Sequence, residues 1–187
     1  GWLPATLAGG DGLDAGFLAE LVARGVVEGS YEPAAIYRDD VEDAPPALDE
    51  LVLVVPGGDA HALTAAADRG RVIGEGANRA RTLSQRASND VSPEVLADEA
   101  TAIAHAHGLE VEVIGPEQAA AMGMGMFLAV GRGSDSPPRF IVMRSGPAGA
   151  TDRRGRLLAM IGKGVTFDSG GLSIKPAQRM EEMKMDK

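Results

Sequence analysis

Hydrophobic residues recur along this chain with two different periods. Spacings of three and four residues, with polar residues between them, are typical of helices that bury one face. Such spacings occur over residues 10–27, 61–86 and 93–107, and a shorter helix is predicted over residues 116–122. The stretch 61–86 contains three glycines, which weaken a helix. The pattern therefore predicts four helices, one of them weakened by its glycines.

The helix predicted over residues 93–107 has recognisable ends. Ser92 is a good N-cap residue, and Pro93 suits the first helical position. Gly108 suits the position just beyond the C-terminus. Asp98 and Glu99 are expected on its solvent side. The face expected to be buried consists of four residues at helical spacing: Leu96, Ala100, Ile103 and Ala104.

Four shorter segments have the pattern of strands. Residues 51–55 and 157–161 are wholly apolar, as in strands that are buried on both faces of a sheet. Residues 109–114 alternate between apolar and polar, and residues 140–143 form the fourth segment. Because strands and helices alternate along the chain, the predicted fold class is α/β with a mostly parallel sheet.

Composition and charge exclude some classes of function. The chain has 187 residues and no Cys, which excludes a disulfide scaffold, a thiolate zinc site and a cysteine nucleophile. The net charge of −9 lies entirely in the first 50 residues, which hold eleven acids and two bases. An acidic front disfavours nucleic acid as a partner. It is also typical of an ordinary solvated surface.

The sequence shows neither a membrane-spanning segment nor a signal peptide. No apolar run reaches the length that a membrane span requires. The N-terminus lacks a basic region followed by an apolar one, so no signal peptide is recognised. We therefore expect a cytoplasmic protein.

The last quarter of the chain carries the candidate chemistry. Lys163 and Asp168 follow the predicted strand 157–161, in a loop with several glycines, and Lys175 and Asp186 come next. Ligands of open α/β sheets bind at the carboxyl ends of strands. Carboxylate oxygens suit divalent cations, and a paired-metal hydrolase is one interpretation. A loop held by Asp–Lys salt bridges is the other, and the residue types alone leave both open.

A longer motif in this region resembles a known family. Residues 162–176 read Gly-Lys-Gly-Val-Thr-Phe-Asp-Ser-Gly-Gly-Leu-Ser-Ile-Lys-Pro, and residues 183–186 read Met-Lys-Met-Asp. This run is similar to the signature of the leucyl aminopeptidase (cytosol aminopeptidase) family. Residues 87–97 resemble that family's entry into its catalytic domain, and residues 28–31 resemble a weaker feature of its N-terminal domain.

The resemblance implies a role for each residue of the motif. In that family the equivalents of Lys163 and Asp186 are metal ligands, and the equivalent of Asp168 bridges two metals. The equivalent of Lys175 is a catalytic electrophile that stabilises the carbonyl oxygen as it becomes negative. The equivalent of Met183 lines the pocket for the first side chain of the substrate. The implied cofactors are two divalent metal ions, Zn or Mn, and the implied assembly is a homo-oligomer, a hexamer.

Two departures from the family pattern qualify the resemblance. Lys187 stands where the family commonly has Met. The family's second signature, Asn-Thr-Asp-Ala-Glu-Gly-Arg, supplies two further acidic ligands and a catalytic Arg, and no such string occurs here. Three ligands are also too few for two metals. A remaining C-terminal portion or a second chain is therefore expected to complete the site, and this chain alone is expected to be inactive.

The resemblance also divides the chain. Residues 1–60 are predicted to be the remnant of an N-terminal α/β domain, and residues 61–87 a linker helix. Residues 88–187 are predicted to be the incomplete N-terminal part of a catalytic domain with a mostly parallel sheet. The predicted function is a metallo-aminopeptidase that releases apolar, Leu-like N-terminal residues from peptides. The alternative is a non-catalytic subunit, a metal- or peptide-binding module derived from that family.

Overall fold

The computed structural model describes residues 14–38, 48–55, 58–146, 151 and 155–187. The chain forms two compact units, Gly1–Gln85 and Arg86–Lys187. The division of the chain into an N-terminal remnant, a linker helix and part of a catalytic domain stays a prediction. No helix within the described ranges is both long enough and apolar enough to cross a bilayer.

The first unit is built on a pair of helices, α1 (Ala15–Gly29) and α2 (Ala60–Gln85), with a short 3₁₀ helix, Pro33–Ile36, between them in sequence. The helices predicted over residues 10–27 and 61–86 are thus confirmed where they are described. Asp14 caps the N-terminus of helix α1, and its carboxylate accepts a hydrogen bond from the Phe17 amide at 3.1 Å.

Small residues form the contact between α1 and α2. The buried residues are spaced four apart on each helix: Ala19 and Ala23 on α1, and Ala66, Gly70 and Gly74 on α2. A Cβ atom at Gly70 would overlap the backbone carbonyl of Glu20. The glycines that reduce the helix propensity of α2 therefore allow the two backbones to approach closely.

The strand predicted over residues 51–55 is wrong. The segment has no regular structure, and the side chains of Val52 and Val54 are 68% and 83% exposed. A strand is stable only when its backbone pairs with a neighbour, and no described segment pairs with this one. Residues 39–47, which belong to the acidic first 50 residues, lie outside the described residues.

The second unit begins with a turn and helix α3 (Pro93–His107), and its predicted ends are confirmed. The Ser92 hydroxyl accepts a hydrogen bond from the Val95 amide at 3.3 Å, and Gly108 adopts a left-handed conformation with φ of 64°. The buried face is made of Ala97, Ala100 and Ala104. Leu96 and Ile103, which were expected on that face, are only half-buried.

The remaining regular elements follow α3 in sequence. They are β1 (Glu110–Ile114), α4 (Pro116–Ala121), α5 (Gly125–Gly131) and β2 (Phe140–Arg144). Strands β1 and β2 pair with each other, and α3 packs against both. Phe127 of α5 meets Phe140 of β2 edge-to-face, with ring centroids 5.6 Å apart. The predicted strands 109–114 and 140–143 and the predicted helix 116–122 are therefore confirmed.

The α/β class is supported, but the expected parallel sheet is not observed. The sheet that the described residues form has two strands, which run antiparallel with Glu110 opposite Arg144. Residues 157–161, predicted to be a strand, have no regular structure, and Leu158 and Ile161 are 87% and 94% exposed. A wholly apolar strand needs neighbours on both edges and cover on both faces, and no described residue supplies them.

Candidate functional site

A tight loop carries the first half of the candidate site. Residues 162–175 have no helix or strand, and the backbone turns at glycines with positive φ. At Gly170, φ is 89° and a Cβ atom would overlap the Ser173 carbonyl oxygen. The Lys175 amide donates to the Ser169 carbonyl at 2.9 Å, which closes the turn. Only glycine fits this position, and the turn returns Lys175 to the neighbourhood of Asp168.

A short helix carries the second half. The 3₁₀ helix Met180–Asp186 follows Arg179, whose positive φ of 60° changes the chain direction. The Arg179 guanidinium then donates to Glu182 at 2.8 Å. The Asp168 amide donates to the Met183 carbonyl at 3.4 Å. The two halves are therefore joined through their backbones directly beside Asp168.

Two lysines and two aspartates converge at this junction. The Lys163 ammonium lies 2.7 Å from Asp168 Oδ2 and 3.2 Å from Asp186 Oδ1. The Lys175 ammonium lies 3.4 Å from Asp168 Oδ2 and 3.9 Å from Asp186 Oδ2. The four side chains are between 30% and 53% exposed, so the cluster is open to solvent. The structure thus brings together four residues that the sequence motif selected.

The fifth selected residue joins the same cluster. Met183 Sδ lies 3.1 Å from the Lys175 ammonium and accepts a hydrogen bond from it. Met183 sits in the helix Met180–Asp186, with Asp186 three residues later. All five residues singled out in the sequence therefore lie in one site of the second unit, while their chemical roles stay predictions.

Charge pairing shifts the pKa values of Asp168 and Lys163 in opposite directions. The Lys163 ammonium, and next the hydrogen bond from the Gly170 amide, lower the pKa of Asp168 from 3.8 to about 2. In return, the hydrogen bond to Asp168 raises the pKa of Lys163. Asp168 is consequently a carboxylate throughout the physiological pH range. An ionised carboxylate of this kind is what a metal ligand requires.

The donor atoms fit a divalent cation. One ammonium group, that of Lys163, contacts both carboxylates, so the two acids already converge on a positive charge. Asp186 Oδ2 is buried and has no hydrogen-bond partner among the described residues. Hard carboxylate oxygens and an amine nitrogen are acceptable ligands for Mn and Zn ions. An oxygen with an unused lone pair is therefore available within the cluster.

The same residues do not suffice for two ions. Among the residues that the structure describes, no group of three or more His, Cys, Asp or Glu side chains is placed to hold a metal. Lys163, Asp168 and Asp186 supply three ligands, whereas two ions of four- to six-fold coordination need several more. A site for two ions would therefore need ligands beyond these three residues.

Two polar contacts at the site were not found from the sequence. The Ser88 hydroxyl donates to the Thr166 carbonyl at 2.8 Å, across 78 positions of sequence. The Lys187 ammonium donates to the Arg86 carbonyl at 2.7 Å, across 101 positions. No spacing rule relates residues so far apart. The resemblance of residues 87–97 to the family marked the region of Ser88 without giving its side chain a role.

Comparisons with known proteins agree with the motif. The model of the "Cytosol aminopeptidase family, catalytic domain" matches residues 78–187. A probable cytosol aminopeptidase of Chlorobaculum tepidum is 39% identical over 175 residues, which are 90% of this chain and 34% of that protein. One from Acidobacterium capsulatum is 40% identical over 176 residues, with 94% and 34% covered. This chain spans about a third of the length of these curated relatives.

The fold of the chain is similar to that of a solved structure. The bottromycin maturation enzyme BotP in complex with Mn superposes with a TM-score of 0.73 and is 33% identical in sequence. The match covers 96% of this chain and 35% of that protein. A second structure of BotP matches with a TM-score of 0.68 over 91% of this chain.

Proposed function

Because this chain belongs to the cytosol aminopeptidase family, we propose that it contributes one part of the active site of a metal-dependent aminopeptidase. The observation that carries the proposal is the convergence of Lys163, Asp168, Lys175 and Asp186 within one cluster of charges. A buried salt-bridge cluster could also stabilise a loop, but this one is half-exposed and leaves a carboxylate oxygen without a hydrogen bond.

The proposed metal ligands are Lys163, Asp168 and Asp186. The two aspartates would ligate as carboxylates. Lys163 would ligate as a neutral amine, so its proton would have to be released to solvent and its ion pair with Asp168 opened when an ion binds. When bound, a pair of divalent ions lowers the pKa of a water and polarises the scissile carbonyl. The complex of the related BotP with Mn supports Mn as the ion, and Zn is the second candidate.

Lys175 is the proposed catalytic electrophile. Its ammonium group lies beside Asp168 and Asp186 but farther from each than the Lys163 ammonium does. A positive charge held at the edge of the cluster can stabilise the negative charge that develops on the carbonyl oxygen of a peptide. Removing one such electrostatic contact from an active site slows catalysis by about 10²–10³-fold.

Met183 is the proposed substrate-contact residue. Its sulfur is next to Lys175, so a side chain resting on Met183 would place its carbonyl group near the ammonium. A thioether is apolar and adaptable, which suits aliphatic side chains of several shapes. We therefore propose peptides with an apolar, Leu-like N-terminal residue as substrates.

The site is proposed to be completed by residues outside this chain. Further acidic ligands and an arginine would come from a remaining C-terminal portion or from a second chain, and the isolated chain would be inactive. The names of the relatives support a cytoplasmic location. The assembly that we propose is a homo-oligomer, a hexamer by family resemblance, with neither nucleic acid nor membrane as a partner.

A graft tests this function. In the graft, residues 78–187 of this chain replace the matching segment of the Acidobacterium capsulatum relative. The assay measures the release of p-nitroaniline from leucine p-nitroanilide with added Mn²⁺. The graft is expected to hydrolyse the anilide, and the isolated 187-residue chain is not. Lys175→Met is expected to lower kcat by about 10²–10³-fold. Lys184→Met, which removes a charge from the same region, serves as the control.

Two results would contradict the proposal. Hydrolysis by the isolated chain would show that its active site is not partial. A graft that folds and binds Mn²⁺ but does not hydrolyse the anilide would favour a non-catalytic binding module.

A further inference from the structure

We propose that Ser88 and Lys187 are positioning residues that hold the two metal-binding carboxylates at a fixed separation, by tying both to one turn. The turn comprises residues 86–91 and is called the anchor turn below. The inference rests on the proposed function, because it concerns the arrangement of the proposed ligands Asp168 and Asp186.

The anchor turn is itself well fixed. The Arg86 guanidinium donates two hydrogen bonds to the Asp90 carboxylate, at 2.8 Å and 2.9 Å. Val91 is completely buried, and its amide donates to the Ala87 carbonyl at 2.9 Å. Helix α3 begins immediately afterwards, with Ser92 as its cap. A paired guanidinium and carboxylate next to a buried side chain make the turn a rigid reference point.

Ser88 ties the first ligand segment to this turn. Its hydroxyl donates to the carbonyl of Thr166, which lies two residues before Asp168. The loop 162–175 contains no helix or strand. Its backbone therefore has fewer regular hydrogen bonds than a helix, and a contact from outside the loop restricts its motion more. The Ser88 hydroxyl therefore limits how far the Asp168 carboxylate can move.

Lys187 ties the second ligand segment to the same turn. Its ammonium donates to the Arg86 carbonyl at 2.7 Å, and Lys187 immediately follows Asp186. Arg86 and Ser88 are two residues apart, so both ties end on neighbouring positions of one turn. The separation of the Asp168 and Asp186 carboxylates is then set partly by these short, direct contacts and not only by the residues between them.

This arrangement makes a difference to cation binding that is separate from its effect on folding. Substitution of a residue that orients metal ligands without touching the metal typically lowers metal affinity by 10–100-fold. Substitution of a residue that only stabilises the fold would lower the melting temperature and leave the metal affinity of the folded protein unchanged. The affinity for Mn²⁺, measured on folded protein, separates these two roles.

The experiment uses the 187-residue chain and Mn²⁺ alone, titrated by electron paramagnetic resonance. Ser88→Ala and Lys187→Met are each expected to weaken Mn²⁺ binding by about 10-fold. Ser88→Thr and Lys187→Arg keep a donor and are expected to bind within about 2-fold of the parent chain. Circular dichroism at the titration temperature selects the variants that are folded.

The chain offers matched controls. Ser30 donates its hydroxyl to the Val27 carbonyl at 2.8 Å, a serine-to-carbonyl bond of the same length as that of Ser88, but local to the C-terminal end of α1. Ser30→Ala is therefore expected to leave Mn²⁺ affinity unchanged. Lys184→Met also removes one lysine charge, but from within the helix Met180–Asp186. It is likewise expected to leave Mn²⁺ affinity unchanged.

Each outcome decides between distinct conclusions. If Ser88→Ala and Lys187→Met bind Mn²⁺ as tightly as the parent while Asp168→Asn binds weakly, the metal site stands and the positioning role is wrong. Equal losses in the control variants would overturn the positioning role as well. If the parent chain binds no Mn²⁺, or Asp168→Asn binds like the parent, both the proposed metal site and this inference fail.

Discussion

Asp168 is the residue on which most of the site's contacts meet. Its side chain accepts hydrogen bonds from the Lys163 ammonium at 2.7 Å and the Gly170 amide at 3.1 Å, and its own amide donates to the Met183 carbonyl. It therefore links the glycine loop to the helix that carries Asp186. A carboxylate held by both a cation and a backbone amide remains ionised well below its usual pKa.

The acidity of Asp168 can be measured in metal-free protein. Because its pKa is about 2 when folded and 3.8 when unfolded, the Lys163–Asp168 pair stabilises the folded chain fully above about pH 4. That stability is lost as the pH falls through about 2. The ¹³C carboxyl resonance of Asp168 is expected to titrate near pH 2, and Lys163→Met should move its midpoint toward 3.8. An unchanged midpoint in Lys163→Met would show that another group holds the carboxylate.

The motif named the site residues but not their contacts. The resemblance selected Lys163, Asp168, Lys175, Met183 and Asp186 from sequence. Their mutual distances depend on the sharp turn at Gly170 and on the helix after Arg179, which sequence spacing does not specify. The contacts of Ser88 and Lys187 span 78 and 101 positions, so they could be found only from the structure.

Among the elements, the packing of α1 against α2 depends on glycines that weaken α2 in isolation. Gly70 faces the backbone of Glu20, and a side-chain carbon there would meet the Glu20 carbonyl. Gly76 lies in the same helix, and a side-chain carbon there would meet nothing within 4 Å. These two glycines therefore have opposite effects on the stability of the helix pair.

The pair Gly70→Ala and Gly76→Ala tests that packing. Gly70→Ala is expected to destabilise the chain by about 1–3 kcal/mol, because the added carbon forces the two helices apart. Gly76→Ala is expected to stabilise it by about 0.5–1 kcal/mol through helix propensity alone. Thermal unfolding followed by circular dichroism measures both changes. If Gly70→Ala is as stabilising as Gly76→Ala, the close approach of α1 and α2 is wrong.

Elements with local signals were predicted well, and those with distant partners were not. Helix α3 carries its own cap, proline and terminal glycine, and each is used as the sequence predicts. Strand β1 has alternating apolar and polar residues, as the sequence predicts, and it pairs with β2. The apolar segments 51–55 and 157–161 have the pattern of buried strands but depend on neighbours that the described residues do not provide.

At the scale of the whole molecule, the apolar segment 157–161 is not covered by any residue that the structure describes. Leu157, Leu158, Met160 and Ile161 are between 77% and 94% exposed, although they form a continuous apolar run. The chain also spans about a third of the length of its curated relatives. We therefore expect the segment to be covered when it is placed within the full length of such a relative.

Leu158→Ser tests this expectation in two contexts. In the isolated chain, where Leu158 is 87% exposed, the substitution should change the free energy of unfolding by less than about 0.5 kcal/mol. In the graft with the Acidobacterium capsulatum relative, it should destabilise the protein by about 2–5 kcal/mol, as for a buried leucine. Ile114→Ser, at a position that is 3% exposed, should be strongly destabilising in both contexts. Equal, small effects of Leu158→Ser in both would show that the segment stays exposed.

The proposed function depends on the binding of a divalent cation by Lys163, Asp168 and Asp186. Anomalous diffraction at the Mn absorption edge, from crystals of the chain soaked in Mn²⁺, locates such an ion. We expect an anomalous peak about 2.0–2.6 Å from carboxylate oxygens of Asp168 and Asp186, with the Lys163–Asp168 ion pair opened. An intact ion pair at 2.7 Å, with no anomalous peak at the cluster at saturating Mn²⁺, would contradict it.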